Sequence, residues 1–145
     1  MIDVETIDHV QILAPTGSEA AVRQFYGDLL GLVEVEKPLE LKARGGVWYR
    51  LGPGAVLLHV GVEDQPPDAG RHHVGLRVGD VAGARTALQA AGVRTGDAPR
   101  VSGMPRFYAW DPFGNQIEFL AYEGSRNYKR FRTPVRSGAP APAED

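Results

Sequence analysis

The feature that most constrains the fold of this chain is an internal repeat. Residues 49–59 align without a gap on residues 108–118, at an offset of 59 (108 − 49 = 59 and 118 − 59 = 59). Earlier in each half, His9 matches His73 at an offset of 64 (73 − 9 = 64), so the offset shrinks along the chain as loop deletions would make it. Few of the aligned residues are identical, but their matching order indicates two copies of one structural unit.

Both halves show the same order of predicted elements, which is a strand, a helix and three strands. The helix of the first half is predicted from apolar residues at positions i, i+3, i+4 and i+7, which are Val22, Phe25, Tyr26 and Leu29. Ser18 or Thr16 is expected to cap the start of this helix, and Gly31 to end it. Strands are predicted over residues 7–13, 32–36, 47–51 and 55–62.

The second half repeats this pattern. Asp80 is expected to be the N-cap of a helix that Gly92 ends, and its apolar residues are Val81, Ala84, Leu88 and Ala91. Strands are predicted over residues 72–78, 93–95, 107–110 and 116–122. The sequence therefore predicts an α+β fold of two βαβββ modules.

The predicted organisation is one domain over residues 1–123, followed by a tail. The modules cover about residues 5–62 and 71–122, and the polar, proline-rich residues 63–70 link them. The tail, residues 124–145, is first basic and then rich in alanine and proline, and its end is predicted to be disordered.

Composition excludes several classes of function. The 145-residue chain has a formal net charge of −2, which gives no basic surface for nucleic acid. No apolar run approaches the roughly 20 residues needed to cross a bilayer, and the N-terminus lacks the features of a signal peptide, so a cytoplasmic protein without a membrane partner is expected. Because the chain has no cysteine, a bound metal must be held by histidine and carboxylate groups.

Side-chain alternation along the first and last strand of each module points to a metal site. Successive residues of a strand face opposite sides, and each of these strands has one nearly apolar face. The opposite faces carry four groups that can bind a metal, which are His9, His59, His73 and Glu118. A single histidine in a strand is usually an ordinary polar residue. Three of the four histidines nevertheless take equivalent positions, whereas His72 falls on the other side of its strand.

These four residues are therefore predicted to bind one divalent ion. Nitrogen and oxygen ligands suit zinc, and they also admit iron, manganese, nickel or cobalt. A separate set of aromatic and basic residues can contact a substrate, with Trp48, Arg77 and Tyr108 as the first candidates and Arg44, Arg50, Arg106 and Trp110 as the others. The alternative is that both tryptophans lie in the core and that most of these arginines are solvated.

Four stretches of the chain resemble the vicinal oxygen chelate superfamily. They are IDHVQI (residues 7–12), FYGDLLGL (25–32), HVGLRVGD (73–80) and DPFGNQIE (111–118). This superfamily includes glyoxalase I, extradiol dioxygenases, methylmalonyl-CoA epimerase, fosfomycin-resistance transferases and bleomycin-resistance proteins. The resemblance covers about residues 5–122.

The resemblance implies a glyoxalase-like fold, in which the modules form a curved mixed sheet around a metal-binding cleft. It implies that the ligands come from the first and last strands of each module, at His9, His59, His73 and Glu118. It also implies a homodimer, because small members of the superfamily often complete the cleft by exchanging modules between two chains. Whether the site lies within one chain or between two stays open.

The pattern also departs from that of some members. Proteins like glyoxalase I carry glutamate where this chain has His59. Extradiol dioxygenases use a triad matching His9, His73 and Glu118, which is typical of non-haem iron(II), and in such an enzyme His59 would be an acid or base rather than a ligand. Those enzymes commonly contain four modules, however, whereas bleomycin-binding members need no metal.

The favoured function is a divalent-metal-dependent enzyme, similar to a lyase or isomerase, whose small substrate chelates the ion through adjacent oxygens. Such a centre polarises a carbonyl and stabilises the oxyanion that forms when an α-proton leaves. Glu118, or His59 if it is not a ligand, is the candidate base. The alternatives are an iron(II) ring-cleaving dioxygenase, a fosfomycin-type transferase, and a non-catalytic protein that binds a drug or metabolite.

Overall fold

A computed structural model describes residues 1–68 and 70–134. The first module forms a four-stranded sheet in the order β1-β4-β3-β2. Its strands are β1 (His9–Pro15), β2 (Val33–Val35), β3 (Val47–Arg50) and β4 (Leu57–Glu63). β1 is parallel to β4, and the other two pairings are antiparallel, so the first and last strands of the module are neighbours.

The second module has the same connectivity. Its strands are β5 (His73–Arg77), β6 (Thr95–Asp97), β7 (Arg106–Trp110) and β8 (Gln116–Leu120). They form a separate four-stranded sheet in the order β5-β8-β7-β6, with β5 parallel to β8. The predicted α+β fold of two βαβββ modules is confirmed, and the repeat in the sequence corresponds to a repeat in the structure.

The helix of the first module differs from the regular α-helix that the periodicity predicts. A short α1 (Glu19–Val22) continues as a π-helix over Arg23–Leu29. The amide of Leu30 donates to the carbonyl of Phe25, five residues earlier, at 2.9 Å. Ser18 occupies the N-cap position, but its hydroxyl donates to the carbonyl of Pro15. The expected side-chain cap from Ser18 or Thr16 is therefore wrong.

The helix of the second module begins as predicted. The Asp80 carboxylate accepts a hydrogen bond from the amide of Gly83 at 2.9 Å, at the start of α3 (Val81–Ala90). After its end, the amide of Val93 donates to the carbonyl of Leu88 at 2.9 Å. Because this bond belongs to the helix terminus, β6 begins at Thr95, two residues later than the predicted strand.

Two further helices were not predicted. α2 (Leu39–Lys42) is a single turn between β2 and β3. α4 (Gly124–Arg130) lies in the segment that the sequence assigned to the tail. The predicted disordered end of that tail falls at residues 135–145, outside the described residues. None of the helices described between residues 1 and 134 has the length and apolar character that a membrane span requires.

The apolar faces of both sheets contribute to one hydrophobic cluster. The buried members of this cluster are Ala14, Val22, Phe25, Tyr26, Val47, Tyr49, Leu58, Val60, Leu88, Phe107, Ala109, Ile117 and Phe119. Removing this apolar surface from water is the main force that joins the modules.

A buried polar network also connects the two modules. The hydroxyl of Tyr26 donates to Asp111 Oδ2 at 2.6 Å, although the two residues come from different modules. Asp111 Oδ1 accepts hydrogen bonds from the amides of Phe113 and Asn115, and Asn115 Nδ2 donates to the carbonyl of Leu13 at 2.8 Å. The loop between β7 and β8 is thereby fixed to both modules.

Because the apolar faces share one cluster, the opposite face of each sheet points away from that cluster. We call these surfaces the first and second polar faces. The first polar face consists of His9, Gln11, Trp48, His59 and Gly61, and the second of His73, Gly75, Arg106, Tyr108 and Glu118. The strand register places Trp48 opposite His59 and Tyr108 opposite Glu118.

Candidate metal site

His9 and His59 come together on the first polar face, as their positions on β1 and β4 predict. Their imidazole rings are stacked, with centroids 4.2 Å apart and an interplanar angle of 15°. The indole ring of Trp48 packs on the other side of His59, with centroids 3.7 Å apart and an angle of 3°. His59 is therefore held between two aromatic rings, and only 6% of its surface is exposed.

The His59 ring has one nitrogen that suits a metal ligand. Nε2 is buried and has no hydrogen-bond partner among the described residues. Burial, followed by the charge of nearby His9, lowers the pKa of the His59 imidazole, so the ring favours its neutral form. A buried polar atom without a partner costs about 1–3 kcal/mol. A metal ion bound at Nε2 would remove this cost, and this nitrogen therefore fits such an ion.

His9 has the second-sphere contact that histidine ligands usually have. Its Nδ1 lies 2.7 Å from Asp8 Oδ1. A carboxylate in this position fixes the ring orientation and makes the other nitrogen a better ligand. Asp8 was not predicted as a site residue, although its position next to His9 in the sequence was an available signal.

A cavity of about 530 Å³ opens on this part of the first polar face. Both histidines line it, together with Trp48, Lys37 and Arg44. Two of the predicted substrate contacts, Trp48 and Arg44, are therefore near the histidine pair. Arg50 is exposed at the end of β3 and does not line this cavity.

His73 and Glu118 form the second pair, on the second polar face. His73 Nε2 lies 3.1 Å from Glu118 Oε2, and His73 Nδ1 lies 3.0 Å from the carbonyl oxygen of Arg71. The backbone carbonyl of Arg71 thus takes the same second-sphere position as Asp8 in the first pair. His72, the neighbouring histidine, is exposed and precedes the strand.

Arg106 makes a different contact from the one expected of a substrate-binding residue. Its Nη1 donates to Glu118 Oε1 at 3.0 Å, and its Nε and Nη2 donate to the carbonyl of Pro99 at 3.1 and 2.9 Å. The guanidinium is thus engaged with the protein on two sides. Glu118 accepts from Arg106 through one oxygen and faces His73 with the other.

The remaining candidate substrate contacts lie around the second pair or away from it. The Tyr108 ring meets the His73 ring edge-on, with centroids 6.0 Å apart. Arg77 stacks on Tyr128 of α4, with its guanidinium carbon 5.4 Å from the ring centroid. Trp110 is partly buried, and the guanidinium carbon of Arg94 lies over its ring, 4.0 Å from the ring centroid.

The four predicted ligands therefore form two pairs rather than one cluster within a single chain. Over residues 1–68 and 70–134, no three histidine, aspartate or glutamate side chains are arranged to hold a metal ion. One pair offers two imidazoles, and the other offers an imidazole and a carboxylate. Together they are the nitrogen and oxygen ligands that zinc and related divalent ions accept.

Comparisons with known proteins agree with this architecture. The family model described as the Glyoxalase/Bleomycin resistance protein/Dioxygenase superfamily matches residues 6–119. A glyoxalase family protein from Bacillus anthracis superimposes with a TM-score of 0.77 and 38% sequence identity, over 84% of this chain and 98% of that one.

More distant structures share the fold at lower identity. The fosfomycin resistance protein FosX from Listeria monocytogenes has a TM-score of 0.66 and 14% identity, covering 82% of this chain and 94% of that chain. TnmS3, an antibiotic-binding protein from Streptomyces sp. CB03234, has a TM-score of 0.66 and 18% identity, covering 84% of this chain and 99% of that one. A search of curated proteins found no match.

Proposed function

Because the chain belongs to the glyoxalase/bleomycin resistance protein/dioxygenase superfamily, we propose that it is a divalent-metal-dependent enzyme. The proposed reaction is that of a lyase or isomerase, and the substrate is a small molecule that chelates the ion through adjacent oxygens. The observation that carries the proposal is the buried, unpartnered Nε2 of His59 beside His9. Such a nitrogen is costly to bury unless a ligand binds it.

We propose that the complete site lies between two copies of the chain. The first polar face of one copy would meet the second polar face of the other, and the two pairs would then form one set of His9, His59, His73 and Glu118. Two-fold symmetry would produce two identical sites per dimer. The edges of β1 and β5 support this arrangement. Within residues 1–68 and 70–134, each of these strands has a single neighbour in its sheet and leaves backbone groups available for another chain.

The ligand set defines what each side chain would do. When bound, a divalent ion held by these residues would polarise a substrate carbonyl and stabilise negative charge on its oxygen. Asp8 and the carbonyl of Arg71 would keep the His9 and His73 rings oriented. Glu118 would accept the substrate proton at Oε2 if that oxygen is not bound to the ion, or His59 would accept it at Nε2 if that nitrogen is not a ligand.

Aromatic rings would form the walls of the substrate site. Trp48 and Tyr108 lie beside the first and second pairs and present flat apolar surfaces. Arg77 lies on the same side of β5 as His73, and the Tyr128 ring lies 5.4 Å from the carbon of its guanidinium. The edge of that group would bind an anionic oxygen of the substrate.

Metal content tests the ligand assignment. We expect that protein purified without added metal contains one divalent ion per chain and that His73→Ala removes it. His72→Ala is the matched control, because His72 is the adjacent imidazole and lies outside the proposed ligand set. Elemental analysis of the purified variants checks this, and unchanged metal content in His73→Ala would overturn the assignment.

A complementation experiment tests whether the site is shared. His59→Ala and His73→Ala, carrying different affinity tags, are coexpressed and the mixed dimer is isolated. In a shared arrangement, one site of this dimer lacks both histidines and the other is intact, so one ion per dimer is expected. If each site lay within one chain, the mixed dimer would contain no intact site and would bind no ion with wild-type affinity.

One structural observation favours a second function, the non-catalytic binding of a planar ligand. The stacked rings of Trp48, His59 and His9 form an aromatic surface beside a cavity of about 530 Å³. Assays with methylglyoxal and glutathione, and oxygen consumption with catechols, separate the classes. Turnover that stops on metal removal supports an enzyme, and oxygen uptake that requires ferrous iron identifies a dioxygenase. Tight ligand binding without turnover or metal dependence supports a binding protein.

A further inference from the structure

We propose that Arg106 is a positioning residue that fixes the orientation of the Glu118 carboxylate and leaves only Oε2 available to a metal ion or a proton. The effect on metal binding rests on the proposed function. The positioning role itself is argued from side-chain geometry alone.

The Arg106 guanidinium is partly buried, and the protein orients it. Its side chain is 16% exposed, and three hydrogen bonds hold the group, two to the Pro99 carbonyl and one to Glu118 Oε1. A guanidinium is planar, and its N–H groups point in fixed directions. The two bonds to Pro99 therefore set the plane of the group and the direction of the remaining bond to Glu118.

The oriented guanidinium of Arg106 in turn fixes the carboxylate of Glu118. Glu118 has 9% side-chain exposure, so few rotamers are open to it once Oε1 is bonded to Arg106. Oε2 then faces His73, at 3.1 Å from Nε2. An ion that binds between His73 and Glu118 would replace the contact between these two residues, and the bond to Arg106 would remain. Glu118 would therefore bind through one oxygen.

The same contact affects the charge of the site. The positive charge of Arg106 lies against the only carboxylate among the four proposed ligands, and the other three ligands are imidazoles. The ion would keep most of its positive charge. A substrate with anionic adjacent oxygens, such as an enediolate or a catecholate, would be favoured over a neutral one.

Arg106→Gln and Arg106→Lys test this role, with Arg85→Gln as the matched control. Arg85 lies in the same module and forms an ion pair with Asp97, whose side chain is 89% exposed. The readout is a titration with cobalt(II), which reports the affinity and, through its visible absorption, the ligand geometry. Thermal unfolding is measured in parallel for each variant.

We expect Arg106→Gln to bind cobalt(II) about 10–100-fold more weakly than the wild type, which is the usual effect of losing a second-sphere partner. Its absorption spectrum should change, while Arg85→Gln should match the wild type. Arg106→Lys should also bind weakly, because an ammonium keeps the charge but cannot make the same set of directed bonds. If Arg106→Gln does not fold, the cobalt(II) affinity and absorption spectrum of Arg106→Lys test the proposal.

An arginine without a positioning role would only repel the bound cation, so its removal would leave cobalt(II) binding equal or make it tighter. Equal or tighter binding by Arg106→Gln would therefore overturn the proposal. Crystal structures of metal-free wild type and Arg106→Gln separate this inference from the proposed function. If the wild type binds no cobalt(II), the proposed function fails. The two metal-free crystal structures still test the positioning role, which predicts that the Glu118 carboxylate moves away from His73 in Arg106→Gln. An unchanged distance of 3.1 Å would refute it.

Discussion

Removing the hydroxyl of Tyr26 tests the buried polar network that connects the two modules. Tyr26 is 1% exposed, and its hydroxyl donates to Asp111 Oδ2 at 2.6 Å. Burial, reinforced by the negative charge of Asp111, raises the pKa of Tyr26 far above its usual value. The hydroxyl therefore stays protonated and remains a donor throughout the ordinary pH range.

The expected cost of Tyr26→Phe follows from the bonds that remain. Asp111 keeps the two backbone amide bonds at Oδ1 and the bond from Asn115 Nδ2 at Oδ2. The variant loses one hydrogen bond to a charged group, and no large cavity forms because only an oxygen is removed. Hydrogen bonds to charged groups contribute about 1.5–3 kcal/mol, so we expect the free energy of unfolding to fall by about that amount.

Urea unfolding, followed by circular dichroism at equal protein concentrations, measures this difference. Tyr49→Phe is the control, because Tyr49 is also fully buried but its hydroxyl lies 3.5 Å from the Val22 carbonyl, at the limit of a hydrogen bond. We expect the control to change stability by less than about 0.5 kcal/mol. Equal losses in both variants, or a loss below about 0.5 kcal/mol in Tyr26→Phe, would refute the importance of the network.

Two further outcomes follow from the same structure. The free energy of unfolding should fall as the pH rises above about 10, the ordinary pKa of tyrosine, because burial raises the pKa of Tyr49 to about 12 and that of Tyr26 further. In that pH range these two hydroxyls ionise only in the unfolded chain. The free energy of unfolding, measured by urea at alkaline pH, should therefore fall less in Tyr26→Phe than in the wild type. Gly46→Ala should destabilise the protein by about 2–4 kcal/mol, from the cost of a positive φ and of a steric clash. The φ of Gly46 is 84°, and a Cβ there would lie 2.5 Å from the Val60 carbonyl oxygen. Gly52→Ala, also at positive φ but with no atom within 4 Å of the new Cβ, should cost less, and equal losses in thermal unfolding would contradict this explanation.

Several structural features could be predicted because they depend on neighbours in the sequence. The repeat gave two modules, and the alternation of side chains placed His73 on the second polar face and His72 off it. Asp80 caps α3 as expected because the capping bond joins residues three positions apart. The spacing of apolar residues did not predict the type of helix in the first module, where residues Arg23–Leu29 form a π-helix instead of a regular α-helix.

The contacts of individual arginines were not predictable from local pattern. Arg106 lies on the second polar face, Arg77 lies on the same side of β5 as His73, and both suited an anionic substrate. In the structure Arg106 is bonded to Glu118 and Pro99, and Arg77 stacks on Tyr128. Glu118 lies in another strand, Pro99 in a loop and Tyr128 in α4, so their proximity to the arginines depends on how the chain folds back.

The sequence by itself determined that His9, His59, His73 and Glu118 lie on the polar faces of their strands, because alternation along a strand is a property of the local backbone. Only the tertiary structure decided that they form two separate pairs. The distance between the pairs depends on how the apolar faces of the two sheets share one core, and on the contact of Asn115 with Leu13, which lies 102 residues earlier. Such long-range packing leaves no trace in the spacing of nearby residues.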